Sequence, residues 1–549
     1  MAEIQMQDYE EIRREDDDHK YDDLKIDEKT VKIDHVIDDV LFPLWKKWIK
    51  TNCLALTIYM VLTGFILTVI YFTVIAQLQQ KLAEINVKLA VIEKKNETKL
   101  QKTENSMVTN LDKYAMCYNG ESWQRLNDYN RCVCAAGFFG KNCKHSDGKG
   151  TSFLVVFLGG LIGNLKPKLL VASDITARLS VFYFNNTKNQ SIIIDETNTE
   201  KNLNNSVFPS DGIHSAGLEV HSDVRVNMYG FLYDGLHSEG FLLMPVRFAS
   251  TKYIIPTLPY GYRKLLALTA VDQNTDISIN LKLQYGSINY DNRQYGNNDT
   301  IRIVMNRYHT FQLTHTSDLS GTMVTASKPV IVVSGNRCSW AVPNNHAGGC
   351  QSFIESVSPT NQQDNLFITP HVATRLNNTV RIQSINITNL TIKLENEKKS
   401  RTIMARDSFD FYYNTISLIY ASDDVLVMSY PHGLPKHKGD PFMMTIPGVN
   451  QYLYEYDFVV PTGFDSYISI TVQSDAIGGF LLDGNPSNIR SVFSISEGLY
   501  KFSTFSMSIS TGLHHIEHSR NVRFGLWING NGDIDGYGYP AGMAYKIFD

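Results

Sequence analysis

The 549-residue sequence lacks the short motifs that mark the common enzyme classes. It contains no GxSxG nucleophile elbow, no P-loop and no dinucleotide-binding fingerprint. It also lacks a basic patch, because residues 51–549 carry 42 Lys or Arg against 41 Asp or Glu. These absences predict a protein that is neither an enzyme nor a binder of nucleic acid.

Charge is absent from one long stretch, Cys53–Ala76. A helix of this length is long enough to cross the roughly 30 Å hydrocarbon core of a bilayer. Trp45 and Trp48 flank its start, and Tyr71 and Phe72 lie near its end, as interfacial aromatics do. Mostly polar residues precede the stretch, so it predicts a transmembrane signal anchor over residues 53–76 and no cleavable signal peptide.

The distribution of glycosylation and disulfide signals predicts the orientation of this anchor. All eight acceptor sequons follow the span, at Asn96, Asn185, Asn189, Asn204, Asn298, Asn377, Asn386 and Asn389. Six cysteines, an even number, also follow it. We therefore expect a type II protein of the plasma membrane with its carboxyl-terminal side outside. For Cys53, palmitoylation and a plain buried thiol both remain open.

The residues before the span form an acidic tail, 1–52, with 9 basic and 15 acidic residues among the first fifty. This composition is typical of a disordered cytosolic segment. Tyr9 begins YEEI and Tyr21 begins YDDL, patterns that suit a phosphotyrosine read by an SH2 domain or a signal for an endocytic adaptor. A tail without any reader is the alternative.

A heptad pattern begins at the end of the span and continues into residues 77–110, the predicted coiled-coil stalk. Its apolar positions are Ile75, Leu78, Leu82, Ile85, Leu89 and Ile92. Leu in one core position and Ile in the other favour a homo-trimer or homo-tetramer over a dimer. The alternative is a single solvated stalk helix, since short helices are marginal unless packed.

Residues 115–145 contain a cluster of four cysteines, Cys117, Cys132, Cys134 and Cys143. Four cysteines allow three pairings, and a zinc site is the competing interpretation. The stretch CVCAAGFFGKNC resembles the second half of an EGF-like module. That resemblance implies a shortened EGF-like spacer with bridges Cys117–Cys132 and Cys134–Cys143.

One phrase recurs four times, about a hundred residues apart. It reads SDVRVNMYG from Ser222, SKPVIVVSG from Ser327, SDDVLVMSY from Ser422 and SRNVRFGLW from Ser519. Its first residues are expected to end one strand, and its alternating apolar positions to start the next. A repeat of this length is sandwich-sized. The sequence thus predicts an all-β head, 151–549, of about four repeated β-sandwich-like units.

Several ordered blocks of this head resemble the amino-terminal domain of the IgGFc-binding protein family. They are GFLLMP at Gly240, YIIP at Tyr253, TASKPVIVVSG with its cysteine-bounded loop, GDPFMM at Gly439 and GYGYPAGM at Gly536. The resemblance implies an extracellular binding domain. The von Willebrand type D modules are missing, and Phe442 breaks the family's GDPH motif, so binding of immunoglobulin Fc is not implied.

Two short motifs resemble metal-binding sequences. His514, Glu517 and His518 spell HxxEH, but the surrounding alternation predicts a strand, which separates the two imidazoles too far for the helical zinc arrangement. The segment NGNGDIDG offers Asp533 and Asp535 as weak calcium ligands. A tight hairpin is the favoured interpretation, because Gly542 occupies the position of the bidentate Glu.

The variable loops that follow the repeated phrase are the candidate ligand site, since equivalent loops of a repeat take equivalent places. Cys338 and Cys350 are expected to form a disulfide that presents Trp340 as an exposed anchor. The candidate ligand-binding residues are Tyr233, Asp234, His237, Trp340, Asn344, His346, His432, Lys436 and His437. Plain solvated turns are the alternative.

The function expected from these features is recognition or adhesion at the cell surface through a glycoprotein or glycan ligand. A membrane-held structural protein associated with mucus or matrix is the first alternative. An ectoenzyme is the second, although no pair of catalytic residues can be placed. No cofactor is expected beyond the calcium ion considered above.

Overall fold

The computed structural model describes residues 73, 75–77, 79–81, 120–126, 129–134, 137–139, 143, 145–184, 190–343, 349–375, 377–434 and 439–548. The chain divides into two compact parts, residues 1–114 and 115–549. The few described residues of the first part are helical. Of the helices in the described residues, none is long and apolar enough to cross a membrane.

Several predictions fall outside the described residues. They are the cytosolic tail with Tyr9 and Tyr21, nearly all of the span 53–76, most of the stalk 77–110, and the residues Cys117, Asn96, Asn185, Asn189, Asn344, His346, Lys436 and His437. They stay predictions.

A neck segment, residues 120–149, leads into the head. Its strands are β1 (Gly120–Leu126), β2 (Tyr129–Cys134), β3 (Phe138–Phe139) and β4 (His145–Ser146). β1 and β2 form an antiparallel pair. A disulfide joins Cys134 to Cys143, as the EGF-like resemblance implied. β4 pairs with both β3 and the last strand of the chain, β38 (Tyr545–Lys546), so the carboxyl terminus is attached to the neck segment.

The head consists of four successive modules of β-strands, which confirms the all-β prediction. Module 1 contains β5 (Gly150–Val155), β6 (Lys166–Ala172), β7 (Ala177–Tyr183), β8 (Gln190–Ile194), β9 (Glu200–Asn202), β10 (Gly212–His214), β11 (Leu218–Tyr233) and β12 (Ser238–Leu242). Module 2 contains β13 (Ser250–Ile254), β14 (Lys264–Ala270), β15 (Thr275–Asn280), β16 (Ile288–Tyr290), β17 (Arg293–Tyr295), β18 (Thr300–Met305), β19 (Thr310–His315), β20 (Met323–Ser339) and β21 (Gln351–Ser356).

The second half of the head has the same composition. Module 3 contains β22 (Asp364–Thr369), β23 (Asn378–Ser384), β24 (Thr388–Lys393), β25 (Lys398–Ile403), β26 (Ser408–Tyr413), β27 (Ser417–Pro431) and β28 (Met444–Thr445). Module 4 contains β29 (Glu455–Val460), β30 (Asp465–Gln473), β31 (Phe480–Leu482), β32 (Asn485–Pro486), β33 (Val492–Glu497), β34 (Tyr500–Ile509), β35 (Gly512–His518), β36 (Gly525–Asn531) and β37 (Gly536–Pro540). Short 3-10 helices occupy Asn205–Val207, Val246–Phe248, Thr360–Gln362, Val449–Gln451 and Ser474–Ala476.

One long strand organises each of the first three modules: β11, β20 and β27. In each module, the first and third strands pair with the first half of the long strand, as β5 and β7 pair with β11. The second and last strands of the module pair with the second half of the long strand, as β6 and β12 do in module 1. Modules 2 and 3 repeat this order around β20 and β27. In module 4, β35 and β36 share the role of the long strand.

The repeated phrase marks the bend of the long strand, so the expectation that it separates two strands was wrong for the first three modules. The pairing with the first strand shifts register there, between His221 and Val226 in module 1. A side chain at the bend accepts a backbone N–H of the third strand: Ser327 Oγ bonds Asp276 N at 2.9 Å, and Ser422 Oγ bonds Asn389 N at 2.9 Å. Only in module 4 is the strand interrupted, where Asn521 adopts φ 54°.

Two buried carboxyl groups lie where modules 1, 2 and 3 meet. Glu239 Oε1 accepts the N–H of Met443 at 3.0 Å, while its Oε2 has no hydrogen-bond partner. Glu355 Oε2 accepts the N–H of Thr445 at 2.8 Å. Burial raises the pKa of Glu239 well above its usual range and that of Glu355 to about 8. Both groups are therefore held in a site that favours the protonated form.

Candidate ligand-binding site

The last strands of the four modules pack together in the centre of the head. β12 contacts β21 and β37, and β28 contacts the same two strands, so the four form a closed cycle. Every described residue of these strands is buried except the last one of β21, which is half-buried. A hairpin connection leads into each of them. We call these connections, residues 234–237, 340–350, 432–443 and 532–535, the hairpin end.

The hairpin of module 1 is held by one carboxylate. Asp234 Oδ1 accepts the N–H groups of Leu236 at 2.9 Å and His237 at 2.8 Å, and Oδ2 accepts that of Asn164 at 2.8 Å. Burial acts to raise the pKa of Asp234, but these N–H donors outweigh it and lower the pKa. Gly235 supplies the positive φ of 94° that the turn requires. The predicted residues Asp234 and His237 thus shape the loop by bonding each other.

The hairpin of module 4 lies against that of module 1. Gly532 N donates to Asp535 O at 3.0 Å, which closes the turn, and Ser238 Oγ donates to Gly536 O at 3.0 Å. Burial, together with the carboxylates of Asp535, Asp234 and Asp533, raises the pKa of Tyr233. The structure therefore brings together residues that the sequence assigned to two separate features.

The two weak calcium candidates have different environments. Asp533 is exposed, whereas Asp535 is 2% exposed and its Oδ2 has no hydrogen-bond partner. Burial raises the pKa of Asp535. Within the described residues, no third imidazole or carboxylate completes a metal site with this pair. The hairpin interpretation accounts for the local backbone.

Arg375 connects the hairpins of modules 3 and 4 and was not predicted. Its Nη1 donates to the carbonyl oxygens of His432 at 2.9 Å and Gly439 at 3.0 Å, and its Nη2 donates to Asn531 Oδ1 at 2.5 Å. Burial lowers the pKa of Arg375 to about 9, with Asp440 acting in the opposite direction. No motif surrounds Arg375 in the sequence, so only the packing reveals this role.

The hairpin of module 2 contains the expected disulfide between Cys338 and Cys350. Gly349 N donates to Asp440 Oδ1 at 2.6 Å, which attaches this loop to module 3. Trp340 is half-buried, with its ring 5.6 Å from the exposed ring of Tyr262. The anchor is therefore one face of an aromatic pair and is less exposed than expected.

The side chain of His432, another predicted ligand residue, forms its hydrogen bond within the protein. Its Nε2 lies 2.8 Å from Thr379 Oγ1, and that hydroxyl also donates to Ala341 O of the neighbouring loop at 2.9 Å. Burial, followed by the charge of Arg375, lowers the pKa of His432 to about 4. The ring is thus neutral at physiological pH and joins modules 2 and 3.

Other predicted sites lie away from the hairpin end. The sequon residues Asn204, Asn298, Asn377, Asn386 and Asn389 are all exposed, as glycan attachment requires. HxxEH lies on strand β35, as expected, with His514 and His518 buried. His518 Nε2 faces the carbonyls of Ala476 at 3.0 Å and Gly478 at 2.9 Å, so this imidazole holds a turn.

The strand topology defines an all-β protein built from four repeated modules. The family described as IgGFc binding protein matches residues 239–530, and the chain belongs to this family. Human IgGFc-binding protein is 24% identical over 394 residues, which make up 69% of this chain but only 7% of that protein. A solved structure, a Ca²⁺-stabilized adhesin with which an Antarctic bacterium binds ice, aligns over 72% of this chain and 98% of its own at 8% identity, with a TM-score of 0.10. So low a score carries no argument about the fold.

Proposed function

We propose that this protein is a cell-surface recognition receptor of type II topology whose hairpin end binds a glycoprotein or glycan. The observation that carries the proposal is that four equivalent connections lead into strands that pack against one another in a closed cycle. Loops held on a rigid β scaffold are where binding residues are usually found. Family membership supports an extracellular binding role or an association with mucins.

The surface beside the module 1 hairpin supports a polar ligand. A groove of about 780 Å³ runs between this hairpin and strands β6 and β9. Lys166, Lys168, Asn164 and Asn202 line it, and Tyr233 contributes an aromatic side chain. Amide and ammonium donors next to a phenol ring suit the hydroxyl groups and apolar faces of a sugar.

The membrane anchor, the stalk oligomer and the tail signals complete the proposal. Treatment of intact cells with a glycosidase should lower the apparent mass of the protein, because the sequons are placed outside. External protease should spare an epitope tag fused before Met1. A tag that is digested on intact cells, while the head survives, would reverse the proposed orientation.

Binding is tested with the full chain in lipid nanodiscs on an array of glycans and secreted proteins. For a ligand identified in this way, Trp340→Ala should weaken binding by about 2 kcal/mol, roughly thirtyfold, because the variant removes an aromatic anchor. Surface plasmon resonance measures the affinity, and thermal unfolding should show little change.

The matched control is Tyr420→Ala, an exposed aromatic on the first half of β27, outside the hairpin end. Its affinity should equal that of the wild type. Equal affinities for Trp340→Ala and the wild type would place the ligand elsewhere, and a large drop in melting temperature would show that Trp340 serves the fold.

A further inference from the structure

Strands β29 and β35 of module 4 place four ionisable side chains on one face. In their antiparallel register Glu455 lies opposite Glu517, and Asp457 lies opposite His515. Residues two apart on a strand share a face, so the four form a two-by-two array. One ligand atom from each of Glu455, His515 and Glu517 lies within 4.8 Å of the other two.

The two glutamates of this array carry uncompensated charge. Like charges directly opposite each other on paired strands are destabilising. Across the described residues, no lysine, arginine or histidine nitrogen pairs with either carboxylate within 4.0 Å. Among the described residues, these two carboxylates therefore have no lysine or arginine partner.

The imidazole of the array is oriented by a buried carboxylate. His515 Nδ1 lies 2.7 Å from Asp457 Oδ1, and Asp457 is 4% exposed and also forms an ion pair with Lys149. A carboxylate on one ring nitrogen fixes the tautomer and leaves Nε2 with its lone pair, as it does behind metal-bound histidines. Lys149 is already paired with Asp457, and it forms no ion pair with Glu455 or Glu517.

We propose that Glu455, His515 and Glu517 form a binding site for Zn²⁺ or a similar first-row divalent cation. One imidazole nitrogen and two carboxylate oxygens are a ligand set that zinc accepts, with Asp457 as the group that positions the histidine. The face is partly open to solvent, so water completes the coordination. The site lies in module 4 and is independent of the ligand proposed for the hairpin end.

The test is isothermal titration of Zn²⁺ alone into the chelator-treated full chain in nanodiscs. The hydrogen bond with Asp457 raises the pKa of His515, so the titration is run at pH 7.5, where more of the ring is neutral. The wild type should bind one Zn²⁺ that is lost in Glu455→Gln/Glu517→Gln and weakened at least tenfold in His515→Gln. With Co²⁺, the wild type alone should show the visible absorption of a nitrogen- and oxygen-ligated ion.

Two comparisons keep the outcome interpretable. His214→Gln removes an exposed histidine of module 1 and should leave the titration unchanged. The double glutamine variant removes a like-charge pair and should fold at least as stably as the wild type without metal, yet gain no melting temperature from Zn²⁺. The proposal is wrong if the wild type does not bind Zn²⁺ at about 100 μM, which corresponds to a Kd of about 0.1 mM or weaker. It is also wrong if all variants bind Zn²⁺ equally.

Discussion

Replacing Arg381 by methionine is expected to lower the free energy of unfolding by about 3 to 5 kcal/mol, because it leaves buried charges without a partner. Arg381 is 3% exposed. It forms two 2.7 Å bonds to Asp410 of its own module and a 2.9 Å bond to Asp318 of module 2. Urea unfolding of the purified chain at pH 7 measures the loss.

The loss of stability should come from the unpaired aspartate charges and not from a general sensitivity of this region to substitution. Adding Asp318→Asn and Asp410→Asn to the methionine variant should restore much of the stability, since no unpaired charge remains. Lys398→Met breaks an exposed ion pair with Glu497 and should change stability by no more than about 1 kcal/mol. An Arg381→Met variant as stable as the Lys398→Met variant would contradict the prediction.

Glu239→Gln is expected to stabilise the protein, and increasingly so as the pH rises. The folded state raises the pKa of Glu239, so it binds this proton more tightly than the unfolded chain does, whose reference pKa is 4.5. The stabilisation from protonation is complete below pH 4.5 and falls by about 1.4 kcal/mol for each pH unit above it, until the folded pKa is reached. Glutamine does not titrate, so the variant does not lose this stability as the pH rises.

The geometry at Glu239 makes the substitution a clean one. The amide oxygen can still accept the N–H of Met443, and the amide nitrogen replaces an oxygen that has no donor. Urea unfolding at pH 5 and pH 8 compares the two proteins, and the gain should appear mainly at pH 8. Glu355, whose pKa is raised to about 8, should keep part of the pH dependence in the variant.

Glu219→Gln is the matched control because Glu219 is also buried but is paired with Arg307 and Tyr308. Neutralising it should destabilise the protein at both pH values. If Glu239→Gln, like Glu219→Gln, destabilises the protein at pH 8, the charge of Glu239 stabilises the fold. The predicted increase in stability is then wrong.

The architecture was readable from the sequence because the bend of the long strand needs particular side chains. Ser327 and Ser422 each accept a backbone N–H of the third strand just beyond its pairing with the long strand, and Asp223 does the same in module 1. The same phrase also led to the wrong prediction of two separate strands, because a short polar segment inside a strand resembles a turn in sequence. The interruption in module 4 depends on the conformation of Asn521, which periodicity does not report.

The candidate site was only partly readable. The loops could be identified as equivalent, but their mutual contacts depend on the packing of β12, β21, β28 and β37. Arg375 gave no signal, and the burial of Asp535 was not predicted, since an arginine or aspartate in a loop is normally solvated. Glu239 and Glu355 stand among serine, glycine and apolar residues, a pattern equally typical of an exposed edge.

The pairing of β4 with β38 has a consequence for protein engineering. Lys546 lies opposite His145 in that pair, so the strand that precedes the four-module head and the last strand of the chain are about 5 Å apart, one strand spacing. A short peptide could join these ends, and new termini could be opened in an exposed turn elsewhere, giving a circular permutant with every strand pair intact. A fluorescent protein fused after residue 549 would likewise be tethered beside the neck segment.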